Sequence, residues 1–251
     1  MVDIFDITEK RGILYSLAPF SEGVKNFKRR ADLLDYAYSD LRLYGSALKK
    51  EGVKSILDGK TIPGIPVFEH RLCEVHRKML IRFEDKLSMK HEVDTIMLNE
   101  FCKILSGVDL PPFRKGTCVL YHLDFVPGDD ENMSVSLMEA FSSIRRAEKN
   151  GGYGEGENMD FCRKAADMHM GIVKVYPYAD YFSELAARSA MQYELIKAGY
   201  FTVDIGVSEP EYNRMTADAI HSGDSSEFAD VLRTAVYKKI HVLIDAVERG
   251  V

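Results

Sequence analysis

The chain has no tryptophan, eight prolines and only four cysteines in 251 residues. Those cysteines, Cys73, Cys102, Cys118 and Cys162, are widely spaced and form no Cys-x-x-Cys pair, so the ligand spacing of a zinc site is missing. Buried reduced thiols are the expectation, and with them an intracellular setting. Long apolar runs are also lacking. None approaches the ~20 residues of a membrane span. The opening Met-Val-Asp-Ile-Phe-Asp has no basic segment leading into an apolar one, so no signal peptide is expected and a cytoplasmic location is. Positive charge is in deficit: 33 Lys and Arg stand against 39 Asp and Glu, a net charge of −6. That balance favours solubility and argues against a strong non-specific grip on nucleic acid. The basic run Lys25 to Arg30 is the local exception, read as a solvated helix face in preference to a phosphate-binding patch. The glycine-rich stretch Asn150 to Gly156 lacks the Lys-Ser/Thr of a phosphate-binding loop and follows no strand, which leaves a flexible connection between helices.

What is present is helical rhythm. With 46% hydrophobic and 29% charged residues, the chain has the composition of a globular protein long enough for one well-buried core. Val24, Phe27, Leu33, Leu34, Ala37, Leu41 and Tyr44 share one face of a helix over residues 21–48. The same spacing predicts helices over 67–86, 93–105, 134–148, 158–175, 184–198, 208–221 and 225–248. Breakers separate them at Gly59–Pro66, Ser106–Gly116, Pro127–Glu131 and Asn150–Gly156. One segment departs from the rhythm. Thr117 to Phe125 places Val119, Tyr121, Leu123 and Phe125 at period two, with Pro127-Gly-Asp-Asp as a turn, which predicts a short β-hairpin. Such a hairpin either receives an extended peptide from a partner or packs on the core as a structural element.

The most informative stretch runs from His169 through Tyr176-Pro177-Tyr178-Ala179-Asp180-Tyr181-Phe182-Ser183-Glu184 to Arg188. An apolar helix ends at Val175, a short turn follows, and a second helix begins near Ser183. In this frame the stretch resembles the active-site motif of the Fic family, His-Pro-Phe-x-Asp/Glu-Gly-Asn-Gly/Lys-Arg. Pro177, Tyr178 and Asp180 match it. Tyr176 stands for the His, Tyr181-Phe182-Ser183 for Gly-Asn-Gly, and Glu184 for the Arg. The resemblance extends over residues 41–245. Ser46 and Glu51-Gly52 are similar to the family's Ser-x-x-x-Glu-Gly inhibitory helix, although Ser46 stands five positions before Glu51 where the family has four. Leu57 to Gly64 resembles the connector that follows. Pro111-Pro-Phe-Arg114 and Val119 to Val126 resemble the substrate-binding flap, with Val119, Tyr121 and Leu123 as its contact positions. Glu211-Tyr212, Ala219 to Asp224 and Phe228 resemble the tail of the core. The resemblance implies a mainly α, Fic-like helical core with a short β-hairpin flap, in a domain over 41–251 preceded by a helical extension over 1–40.

It also implies a chemistry whose requirements can be compared with the residues. In the family the His is the general base on a target hydroxyl, the acid binds Mg²⁺ at the phosphates of ATP, and the glycine turn and Arg hold those phosphates. His suits a base because it titrates near neutrality. Tyr176 has an ordinary pKa of ~10, and bringing it to neutrality would take about 4 kcal/mol of local electrostatics. A packed or hydrogen-bonded tyrosine is the plainer expectation. Tyr181 and Phe182 would fill the volume that a backbone phosphate cradle needs. Ser183 reads as an N-cap for a helix starting at Glu184. Glu184 suits a helix first turn and repels polyphosphate. Arg188 lies one position past the family's second Arg, a rotation of ~100° around the helix. Asp180 alone makes a poor Mg²⁺ site without phosphates to complete it. With Glu184 in place of the Arg, Glu51 would lose its partner, and Glu51-Gly52 can equally be a helix end with a glycine C-cap. His169 reads as a core histidine with a satisfied ring and not as the missing base, while His122 could face the site or solvent. The expectation is a non-catalytic binding or regulatory protein with no cofactor, engaging a protein partner through the flap and no membrane. The competing expectation is an AMP-transferring enzyme that uses ATP and Mg²⁺. A nucleic-acid-binding regulator is the third. The oligomeric state stays open, a homodimer included.

Overall fold

The computed structural model describes residues 2–109, 113–128, 132–156 and 159–250. Among them the chain forms ten α-helices: α1 Ile4–Ser16, α2 Glu22–Leu43, α3 Lys50–Leu57, α4 Val67–Ser88, α5 Thr95–Ser106, α6 Met133–Lys149, α7 Phe161–Val175, α8 Phe182–Lys197, α9 Glu209–Ser222 and α10 Ser226–Glu248. The periodicity placed most of these to within a few residues. The helix start expected at 158, Pro111 and Pro112 of the flap motif, and the Asp129-Asp130 turn lie outside the described residues. The expected boundary between 40 and 41 falls inside α2, which is continuous.

Local chemistry explains the ends. Asp3 opens α1 with a capping box, its carboxylate accepting from Phe5 and its backbone N–H donating to Asp6. Ser21, Asp94 and Asp160 cap α2, α5 and α7 in the same manner by accepting a first-turn N–H. Gly107 and Gly223 close α5 and α9 with left-handed backbone.

The centre of the molecule is α8. Every residue from Ser183 to Leu195 is buried, so this helix has no solvent face. It packs on α7, α5, α2 and α4. Ala186, Ala187, Ser189 and Ala190 keep its surface thin enough for neighbours on all sides. Helices α7 and α8, joined by the short 176–181 loop, are packed side by side. One apolar cluster joins Tyr36, Phe83, Phe101 and Tyr193 beside α8. A second joins Ile7 and Leu14 of α1 to the 200–207 segment and α10.

The expected hairpin does not form. Among the described residues there is no strand, and residues 117–125 carry a single isolated antiparallel bridge between Leu120 and Phe125. That bridge closes a 3₁₀ turn over Tyr121–Leu123, with Asp124 left-handed at φ 47°. Three residues per turn destroy a period-two face. Tyr121 is 88% exposed while Leu123 is 1% exposed, and Val119 is exposed as well. Val119 and Tyr121, expected as contact positions of a flap, therefore face solvent, and Leu123 anchors the turn.

Two further expectations change. Residues 44–49 do not continue α2, and Glu51-Gly52 lies in the first turn of α3. The pair opens a helix and cannot be its C-cap. Ser46 instead donates to Glu69 at 2.5 Å. Ser183 is not the cap of α8, which begins two residues earlier than expected, at Phe182, with Tyr181 at the N-cap.

Candidate active site

The loop between α7 and α8 is rigidly held, and its own residues hold it. Tyr176 ends α7 in a left-handed conformation at φ 50°, and its N–H still bonds to Ile172 O at 2.8 Å. A bulky residue rarely adopts that backbone and needs surroundings that impose it. They do: its ring is buried, and its hydroxyl donates to Asp180 O at 2.7 Å across the loop. Asp180 is likewise left-handed at φ 53°, with its side chain in solvent. Ser183 clasps the loop from the other side. Its hydroxyl donates to Tyr178 O at 2.8 Å and accepts Tyr178 N–H at 2.7 Å. Tyr178 is buried and donates to Asn99 at 2.5 Å.

Arg114 ties the segment 113–128 onto this loop. Its backbone N–H donates to Pro177 O at 2.9 Å and its Nε to Tyr176 O at 2.8 Å. The rest of its guanidinium reaches Gly116 O at 2.6 Å and Gly128 O. This buried cation is spent on carbonyl oxygens, and lysine, with one point of donation, could not span them. Within the flap motif nothing in the local sequence separates Arg114 from an ordinary surface arginine.

Below the loop sits a chain of buried charges. Arg188 is 2% exposed, and its Nε donates to Asp40 Oδ1 at 2.5 Å. The other Asp40 oxygen receives His76 Nε2 at 2.7 Å, while His76 Nδ1 faces Leu72 O at 2.6 Å. Arg188 also reaches Tyr212 OH at 3.3 Å and lies 3.8 Å from Glu184. Glu184 in turn accepts His122 Nε2 at 2.7 Å and Tyr176 OH at 3.3 Å. His122 therefore faces the site. Burial alone would raise the Asp40 and Glu184 carboxyls, but their cationic partners overcome it and hold both below the ordinary range. Burial first, then the nearby Glu184 charge, pushes the Tyr176 phenol up, opposite to what a base requires. His169 is buried against Phe228 and shares a 2.9 Å hydrogen bond with Tyr212; burial and the Arg188 charge push it down to about 3, so it is neutral.

Tyr181 and Phe182 pack ring against ring, and Tyr181 also meets Tyr44 at 4.8 Å and Phe68 at 5.2 Å between centroids. The start of α8 is thus lined with aromatic surface. Among the described residues no group of three or more His, Cys, Asp or Glu could hold a metal ion. Cys73, Cys102 and Cys162 are buried free thiols, Cys118 a half-buried one. Burial pushes the Cys73 and Cys102 thiols up to about 12, which leaves them poor nucleophiles.

The order of elements around a loop between two packed helices, with the 113–128 segment tied to it, can be set against known structures. The fold is that of Fic-domain proteins. A Fic-domain signalling protein from Bacteroides thetaiotaomicron superposes with a TM-score of 0.78 at 15% identity, covering 97% of this chain and 98% of that one. Residues 134–508 of Fic-1 from C. elegans give 0.75 at 19% identity, over 99% of this chain and 72% of theirs. A Fic family protein from Desulfovibrio desulfuricans gives 0.59 at 13% identity, over 97% and 74%. No family model and no curated protein matches the sequence. Identities this low carry the Fic fold and leave the chemistry to the residues present.

The His122–Glu184 contact should make the 113–128 segment sensitive to pH. The hydrogen bond to Glu184 raises His122 above its ordinary value of ~6.5. A raised histidine contributes stability that is fully present below ~6.5 and is lost as pH rises through the folded-state value. The effect is modest because the His122 side chain is 39% exposed. Amides of residues 120–126, corrected for intrinsic exchange, should become less protected as pH rises from about 6 to 8. Equal behaviour in His122→Gln would show that another group is responsible.

Proposed function

We propose that this protein has kept the Fic scaffold while giving up nucleotide transfer, and that it acts as a non-catalytic binding or regulatory protein. The observation that carries this reading is Glu184. An ionised carboxylate sits in the first turn of α8, held by His122 and Arg188, where the family's motif brings a phosphate-binding arginine. Anions favour helix N-termini, but a fixed carboxylate there already satisfies that preference and repels a polyphosphate. Tyr176 adds to it, because its hydroxyl donates and is not poised to accept a proton. Tyr181 and Phe182 place aromatic rings where the family uses glycine and asparagine.

The residues present therefore do not fit ATP–Mg²⁺. Asp180, at the family's acid position, is exposed, Glu184 is engaged by His122 and Arg188, and among the described residues no group of three or more His, Cys, Asp or Glu could hold a metal ion. That exposure is also what favours the alternative, a protein adenylyltransferase with a non-standard motif, since a bound nucleotide could supply the missing oxygen ligands. On the favoured reading the partner docks at the flap, where Val119, Tyr121 and Val126 are exposed and apolar beside the loop. Calorimetric titration with ATP and Mg²⁺ tests the choice. Binding no tighter than millimolar is expected, and a dissociation constant in the low micromolar range would give the site back to an enzyme.

A further inference from the structure

Away from the loop, α2, α3 and α10, with the 204–207 segment and Arg77 of α4, line a groove of about 1350 Å³. Its floor is apolar, with Leu34, Leu57 and Val231 half-buried and Val242 48% exposed. Its charges divide into two groups. Asp35 and Asp204 are neutralised internally by Lys50, Lys239 and Arg42. Glu227 pairs with Arg214, and Asp230 with Arg233. Arg77 pairs with Glu74. Three cations and one acid, the exposed Asp58, remain. Among the described residues Arg30 of α2, Lys54 of α3 and Lys238 of α10 are exposed and have no carboxylate at ion-pair distance. With Asp58 as the one unpaired acid, a chain of net charge −6 thus gathers an excess of unpaired positive charge around one apolar floor.

From this arrangement we propose that the groove docks an acidic amphipathic helix of a protein partner. A helix about 10 Å across with a rise of about 1.5 Å per residue occupies about 120 Å³ per residue, so the groove matches roughly three turns. Ordinary small-molecule sites run to about 1,000 Å³ and converge their polar groups on one point. Here the three cations stand on three separate helices around the floor. That layout suits carboxylates flanking an apolar stripe, the helix-in-groove mode of recognition. Nucleic acid is disfavoured by the acidic remainder of the surface and by the apolar floor.

The test uses the full chain and a fluorescein-labelled peptide of about four turns, with leucines at i, i+3, i+4 and i+7 and glutamates on the flanks. Its anisotropy should saturate at micromolar protein and weaken as salt rises from about 0.05 to 0.3 M. The triple variant R30E/K54E/K238E should bind at least tenfold more weakly. Those residues pair with nothing, so the fold should survive; Val242→Glu, at an exposed floor position, is the second arm and should also lose binding. Equal binding of a peptide with lysine in place of glutamate, or unchanged affinity in both variants, would overturn the proposal. Sedimentation that shows a concentration-dependent dimer lost in the triple variant would assign the groove to a second copy of the chain and overturn it too.

Discussion

Arg188→Met is expected to lower the unfolding free energy by about 3–5 kcal/mol, read from urea denaturation. The side chain is 2% exposed, and Asp40 and His76 beside it are no more accessible. Removing the guanidinium leaves Asp40 with His76 alone and brings Glu184 down to His122 and the Tyr176 hydroxyl. Two carboxylates would then be buried with one cation fewer, and the desolvation cost of each is no longer offset. Arg188→Lys should recover little, because one ammonium cannot meet Asp40, Tyr212 and Glu184 together. The double variant Arg188→Met/Asp40→Leu should lose less than the two single losses added, since it removes the stranded charge. The sign with pH follows from the carboxyls. Both are held below their ordinary values near 4, so the network contributes above that range and its contribution disappears as pH falls through the folded-state values. A loss under about 1 kcal/mol for Arg188→Met would mean that these charges are not what organises the core.

Repair of the site should need the whole motif. Tyr176→His alone should leave the protein unable to label itself or a partner with AMP from radiolabelled ATP. A base contributes ~10²–10⁴-fold, and only to a phosphate already bound and oriented. Positioning and charge stabilisation carry most of phosphoryl-type transfer. The five-fold variant Tyr176→His, Tyr181→Gly, Phe182→Asn, Ser183→Gly, Glu184→Arg is therefore the one expected to gain labelling. The structure also indicates its cost. Ser183→Gly removes both hydrogen bonds to Tyr178, and Glu184→Arg sets a guanidinium against His122 and Arg188. Its melting temperature should fall accordingly. Labelling by the unaltered chain that disappears on Asp180→Ala would overturn the non-catalytic reading.

The sequence by itself determined most of the helices and the loop that opens at Tyr176, because a 3.6-residue apolar rhythm is a local property of the chain; it missed the break at residues 44–49. Tyr176 is packed and hydrogen-bonded, as its residue type suggested. His169 lies in the core, but the expected satisfied ring is only half there: Nε2 meets Tyr212, and among the described residues the buried Nδ1 has no well-formed hydrogen bond. The sequence failed where one residue breaks a local rule under outside pressure. Residues 117–125 read as period two, yet Leu123 is drawn into the core and Arg114 ties the segment to the loop, so a turn forms in place of a strand. Only the tertiary structure decided the charges. Asp40 meets Arg188 across 148 positions and His122 meets Glu184 across 62. Glu184 and Arg188 lie in α8, which is buried on every side from Ser183 to Leu195. A buried charge is tolerated only where partners arrive from other elements, and no spacing within one helix records which partners will come.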